Sequence, residues 1–190
     1  MEDEIKVTKK RLAVIIGENG QTKKDIQKKT STNLNINSHT GEIIISTKKS
    51  FYEIHIAKNI LTAISRGFSP EVSFNLLEDN FLLEIIDLDD FVKNTRNRHE
   101  QIRGRVIGKD GHIKKMIEDK LHCFISVYGK TVSIIGYQDN ISEVRDVIEK
   151  ILQGVKHTTV FKMLKSLSLK AEGYKKVKTQ EVKIDDISFD

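Results

Sequence analysis

One cysteine, one proline and no long apolar run set the first limits on this 190-residue chain. The lone cysteine, Cys123 in the apolar stretch LHCFISV, excludes an intramolecular disulfide and points to a reducing compartment and a place in a core. Six histidines and that cysteine fall into no metal-ligand spacing. His122 adjoins Cys123, but neighbours in a strand face opposite ways, so neither a metal nor a cofactor is expected. No stretch reaches the ~18 uninterrupted apolar residues of a membrane span. The charged start MEDEIKVTKK lacks the apolar centre of a signal peptide, so a soluble, cytoplasmic protein is expected.

What is present is charge, unevenly spread. Residues 1–70 carry 12 Lys/Arg against 7 Asp/Glu, residues 71–92 carry none against 7, and residues 93–190 carry 20 against 13. Two basic halves therefore flank an acidic connector, a distribution that suits a polyanionic partner. The only proline, Pro70, opens that connector in GFSPEVSFNLLEDN. Its apolar residues Val72, Phe74, Leu76 and Leu77 predict an ordered segment docked on one half, since a free linker has no use for them.

The halves repeat one another. At an offset of 91, Gly17-Glu18-Asn19-Gly20 falls on Gly108-Lys109-Asp110-Gly111, and Leu34 and Ile36 fall on Ile125 and Val127. Past the turns NSHTG and YGK the offset reads 90, laying Ile44 and Ile45 on Ile134 and Ile135, then Phe51, Ile54, Ala57, Leu61 and Ile64 on Ile141, Val144, Val147, Ile151 and Gly154. A length change confined to a turn is what two copies of one unit should show. Each copy reads strand, short helix, Gly-x-x-Gly turn, helix, strand, hairpin, strand, long helix, which is an α+β unit of three strands and three helices. In the first copy the elements are expected at Ile5 to Thr8, Lys10 to Ile15, Gln21 to Thr30, Leu34 to Asn37, Glu42 to Thr47 and Ser50 to Arg66. In the second, the opening strand is expected at Phe81 to Asp87, with an inserted loop or a longer helix in LDDFVKNTRNRHE. The predicted organisation is a first unit over 1–68, a connector over 69–80, a second unit over 81–155, a C-terminal helix over 156–170 with Val160, Met163, Leu164 and Leu167 inward, and a mobile tail over 171–190.

The turn itself excludes one function class. A Walker loop needs Gly-x-x-x-x-Gly-Lys-Ser/Thr and a dinucleotide fold needs Gly-x-Gly-x-x-Gly; neither spacing occurs. A plain turn between two helices uses glycine for the same backbone freedom, but this one occurs twice, each time after isoleucine and with Ile26 or Ile117 six residues beyond its last glycine.

VIGKDGHIKKMIE followed by CFISVYGKTVSIIG resembles the core of a K-homology (KH) domain, and VIIGENGQTKKDI resembles a second, diverged one. The resemblance implies two tandem type I KH domains, each with its Gly-x-x-Gly loop clamping the backbone of about four single-stranded nucleotides. On that basis the RNA-binding residues are expected to be Arg103, Gly104, Arg105, Val106, Ile107, Gly108, Lys109, Asp110, Gly111, Ile113, Lys114, Lys115, Ile125 and Val127. The glycines let backbone approach a phosphate and the next helix offers open N–H groups. Lys109, Arg103 and Arg105 neutralise charge, and Val106, Ile107, Ile113, Ile125 and Val127 wall a groove for bases. Ile125 and Val127 fit a plain core equally well, and Lys114 and Lys115 a solvated helix face. The first copy holds Glu18 where the second has Lys109, and Leu12 and Val14 where the second has Arg103 and Arg105. It is expected to bind weakly, through Gly17, Gly20, Lys23 and Lys24, or to serve as a packing and protein-contact unit.

GFSPEVSFNLL, FLLEIIDL, RGRVIGKDG, ISVYGKTVSIIG and GVKHTTVFKML, in this order, resemble the archaeal members of the partner-of-Nob-one family of small-subunit ribosome assembly factors. That resemblance implies binding to precursor 16S rRNA near its 3′ end and cooperation with a PIN-domain endonuclease; a monomer is expected. A general KH regulator of mRNA or a cofactor of RNA decay is the alternative, for which two competent loops would speak. An enzyme is the third class, but His112, Asp110 and Ser126, the catalytic residue types nearest the turn, supply no nucleophile, base and orienter, so no catalytic residue is expected.

Overall fold

The computed structural model describes residues 1–92 and 96–167. The first half runs β1 (Glu2–Lys6), α1 (Lys9–Ile16), α2 (Gln21–Thr30), β2 (Asn33–Ile36), β3 (Glu42–Ser46) and α3 (Phe51–Ser65). A short α4 (Pro70–Ser73) and a 3-10 turn follow, and then β4 (Phe81–Asp87), α5 (Arg96–Ile107), α6 (His112–Leu121), β5 (Phe124–Tyr128), β6 (Thr131–Tyr137) and α7 (Ile141–Leu152). Residues 157–167 form a last helix, α8. Both sheets are antiparallel with the same permutation, β1-β3-β2 and β4-β6-β5, so each half is the same α+β unit.

Local chemistry sets the element ends. Ser50 and Glu53 form a capping box at the start of α3, satisfying N–H groups that the helix leaves open. Pro70 stands in the first turn of α4, where its missing N–H costs nothing, behind the Ser69 cap. The first strand lies earlier than its expected place at Ile5 to Thr8: alternating Glu2, Glu4 and Lys6 face out while Asp3 and Ile5 turn inward, and Thr8 precedes α1. The longer stretch before the second turn is taken up by a 3-10 turn at Leu88–Asp90 and by α5, which has 12 residues where α1 has 8. The remainder of that stretch, residues 93–95, lies outside the described residues, as do 168–170 of the expected last helix and the expected tail 171–190.

Strand register corrects the overlay of the halves. Leu34 pairs with Ile45, whereas Ile125 pairs with Ile134, so Ile45 matches Ile134 at an offset of 89. Two residues, not one, are lost in the hairpin. One is regained before the long helix, where Ile54, Ala57 and Leu61 and their mates Val144, Val147 and Ile151 are all buried. Because strand side chains alternate, a one-residue shift moves a residue to the other face. Ile44 is accordingly on the exposed face of the first sheet, and Ile135 points away from its own helices.

Ile135 is fully buried all the same, within the apolar cluster of the first half. Phe81 and Leu83 on the same face of the second sheet pack there too, together with Phe68, Val72, Phe74, Leu76 and Leu77 of the connector. The second half keeps its own core on the other face, from Ile86, Val132 and Ile134 to Val147, Ile151, and Val160 and Leu164 of α8, with Met163 and Leu167 partly buried against it. The helix α3 buries Ile54, Ala57, Ile60, Leu61, Ala63 and Ile64 and leaves Phe51, Tyr52 and His55 exposed, so one side of it packs into the core and the other meets solvent.

Candidate nucleic-acid interface

Between α5 and α6 the chain makes its glycine turn at φ 73° for Gly108, 52° for Asp110 and 77° for Gly111. Between α1 and α2 it does the same at 72° for Gly17, 51° for Asn19 and 74° for Gly20. Three left-handed residues in four are costly for side chains with a Cβ, which is why glycine and Asx residues occupy them. The two glycines of each turn differ in what surrounds them. A Cβ on Gly108 would meet Ile113 Cγ1 at 2.3 Å and one on Gly17 would meet Thr22 Oγ1 at 2.2 Å, whereas at Gly111 and Gly20 nothing lies within 4 Å. The first glycine is needed by the packing; the second leaves open space before the helix start. Neither α2 nor α6 has a side-chain cap; their first N–H groups, on Gln21 and His112, donate to Glu18 O and Lys109 O, and no capping side chain competes with an anion for the N–H groups that follow.

Charge separates the copies. Lys109 and Lys115 are exposed around the second turn, where the first turn exposes Glu18. Other candidates prove to be committed. Arg105 donates from Nε to Ile151 O at 3.1 Å and from a terminal nitrogen to Val155 O at 2.7 Å, tying α5 to the C-terminus of α7, so its guanidinium acts in packing rather than as an open phosphate contact. Lys114 pairs with Glu118 at 3.0 Å. Glu118 in turn accepts the Ile125 N–H at 2.7 Å, as Gln27 accepts that of Leu34 at 2.9 Å in the first half, an equivalence that the sequence overlay passes over. Arg103 stays nearer the surface, donating to Gly129 O at 3.1 Å and lying 4.0 Å from Glu100, beside the β5–β6 hairpin.

The apolar set divides likewise. Val106 is fully buried and Ile113 and Ile125 are nearly so, all three in the core of the second half. Ile107 and Val127 keep partial exposure and are the residues of that set that a base can touch. Gly104 lies on the exposed side of α5, with nothing within 4 Å of where its Cβ would stand. In the first half Lys24 is exposed and Lys23 partly so on α2. His112 and Asp110 are exposed at the turn, while the Ser126 hydroxyl bonds Arg66 O on the other face of the sheet, so these three do not meet. Burial pushes the Cys123 thiol up to about 12. Among the described residues there is no His/Cys/Asp/Glu group fit to hold a metal ion, and no helix long and apolar enough to cross a membrane.

Comparison with known proteins agrees with this geometry. Residues 82–168 match the second-KH model of PNO1, described as a eukaryotic type KH-domain (KH-domain type I). A KH domain-containing protein of Methanocaldococcus jannaschii is 35% identical over 162 residues, which make up 84% of this chain and 71% of that protein. The crystal structure of Dim2p from Pyrococcus horikoshii superposes with a TM-score of 0.81 at 40% identity, covering 87% of this chain and 99% of that one. A chain in the a/eIF2alpha-aDim2p-rRNA complex from the same organism gives 0.83 at 41%, covering 90% and 95%. An Aeropyrum pernix protein of unknown function gives 0.89 at 28%, covering 95% and 97%.

Proposed function

Because this chain belongs to the KH-domain family, with archaeal Dim2p among its relatives, we propose that it is an RNA-binding ribosome assembly factor whose second half grips single-stranded RNA. The observation that carries this reading is the second turn: open backbone at Gly111, an uncapped α6 and Lys109 between the glycines form one anion-receptive surface. A Pyrococcus relative crystallised with rRNA supports it. The first half, with the same topology and turn dihedrals but Glu18 in place of Lys109, is a degenerate KH module that holds its partner in place.

The RNA is precursor 16S rRNA near its 3′ end. The protein acts in the cytoplasm as a monomer without catalytic chemistry of its own, presenting the strand to a PIN-domain endonuclease of small-subunit maturation. Crosslinking the protein to RNA in cells and sequencing the crosslinked sites tests this directly. A peak at the 3′ end of the 16S precursor is expected; sites spread over messenger RNA would replace the reading with that of a general KH regulator.

A further inference from the structure

Phe51, the first residue of α3, is 67% exposed, the highest value for a large apolar side chain among the described residues. It closes one end of an open cleft of about 410 Å³ between α3 and β1, an edge strand of the first sheet. Ile54, His55, Lys58 and Asn59 line the cleft beyond it, all on one helical stripe, with Asp3 on the strand side. His55 and Asn59 are within hydrogen-bond distance of each other at 3.0 Å, so an imidazole and a carboxamide edge sit beside an unpaired phenyl ring.

Cations gather at the same end. Lys48 and Lys49 immediately precede the helix cap. Thr47 donates to Ser31 O at 3.0 Å and Lys49 to Ser31 Oγ at 2.9 Å, which joins this loop to the end of α2 and its Lys28, while Lys29 is turned to the Phe74 ring, 5.1 Å from its centre. The carboxylates closest to the cleft are engaged: Asp3 with Lys58 at 2.7 Å and Glu53 with Ser50 in the capping box. A flat ring, polar edges and flanking lysines are the elements by which proteins hold unpaired nucleotides, stacking the base and neutralising its phosphates. The cleft also falls within the ~300–1,000 Å³ range of small-ligand sites.

We propose that this cleft is a second RNA contact, taking one unpaired base against Phe51 with Lys48 and Lys49 on the neighbouring phosphates. The inference extends the RNA-binding reading and rests on it. It gives the first half a hold on RNA that bypasses its acidic Gly-x-x-Gly turn. An acidic peptide would satisfy the lysines but leave the ring and the amide edge without a role.

The test uses the full chain and two labelled RNAs, one of about four nucleotides, the length that a single Gly-x-x-Gly groove clamps, and one long enough to reach both sites. Phe51→Ala should weaken the long RNA by at least about fivefold, while Phe51→Tyr, which keeps an aromatic face, binds as the parent. Lys48→Glu with Lys49→Glu should flatten the salt dependence for the long RNA by roughly one unit of log–log slope. None of these changes should alter binding of the short RNA. Long-RNA affinity untouched by Phe51→Ala overturns the proposal, and so does an acidic peptide that binds at Phe51 without competing with RNA. Lys109→Asp, measured on the short RNA, reports the second-half groove separately, so failure there is distinguishable from failure at the cleft.

Discussion

The Ser126 hydroxyl donates to the carbonyl of Arg66 at 2.8 Å, joining β5 of the second half to the C-terminal end of α3 in the first. Around that bond the junction closes tightly. Arg11 donates to Ile64 O at 2.7 Å and Phe68 O at 2.5 Å while its guanidinium lies 5.6 Å from the centre of the Tyr128 ring. The strand that rims the candidate RNA groove is therefore anchored from behind by the other half.

Gly67 makes this junction testable. It stands at φ 103°, and a Cβ there would approach Ser126 Oγ to 2.6 Å and Tyr128 Cβ to 2.8 Å. Gly67→Ala should cost roughly 1–3 kcal/mol from combined backbone strain and overpacking. Urea unfolding followed by circular dichroism would read this, with both halves lost in a single transition.

The two glycines of the second turn should respond differently to alanine. Gly108→Ala drives a methyl into Ile113 and should lower stability together with RNA affinity. Gly111→Ala meets no neighbour, so its cost is the left-handed backbone alone, about 1–2 kcal/mol, but the methyl occupies the space a phosphate would enter. Thermal melts and RNA titrations on both variants would separate a packing glycine from a ligand-facing one.

Lys109 and Arg105 form a matched pair of the same kind. Lys109→Asp should abolish most RNA binding at moderate salt with the melting temperature almost unchanged, since the side chain is exposed. With two or three phosphates neutralised in the parent, its log–log salt slope should fall at roughly −1.4 to −2.1. Arg105→Ala instead removes two hydrogen bonds to carbonyls at the end of α7 and should cost about 1–3 kcal/mol of stability. Its salt slope for RNA should stay that of the parent. A reduced slope would return Arg105 to the RNA contacts.

Cys123 should be inert in the folded protein. Burial is the main cause that lifts its thiol from 9.0 to about 12, with Glu118 adding to it, so the thiolate is scarce at neutral pH. A thiol reagent at pH 8 should label it only after denaturation. The raised folded value also fixes a sign: the thiol's contribution to stability is complete below pH 9 and declines from there toward pH 12, because the unfolded chain releases the proton first.

Much of this molecule is legible from periodicity and turn chemistry. Gln21 to Thr30 and Phe81 to Asp87 appear with the expected ends, and the glycine turns sit between helices as the pattern requires. The register of β3 and β6 is not legible in the same way. EIIIS and TVSIIGY carry apolar residues at consecutive positions, so alternation alone does not tell which of them faces the helices. Ile135 adds to the difficulty, since its burial is supplied by another half of the chain. Arg105 escapes the sequence for a related reason: it sits in a basic stretch beside a turn, yet its partners Ile151 and Val155 lie 46 and 50 residues away. Local composition records the charge of a side chain and not the carbonyl it reaches.

The two sheets also present unlike outer faces, the first one Glu2, Glu4, Lys6 and Glu42, the second one Leu83, Ser133 and Ile135 against its neighbour. A duplicated unit that begins with one kind of face on both copies must have this face rewritten on one copy before the pair becomes a unit. From then on neither copy is a portable cassette. Cutting the chain at the connector would strand Ile135 in water, so in gene shuffling or in protein engineering these halves are inherited together or not at all.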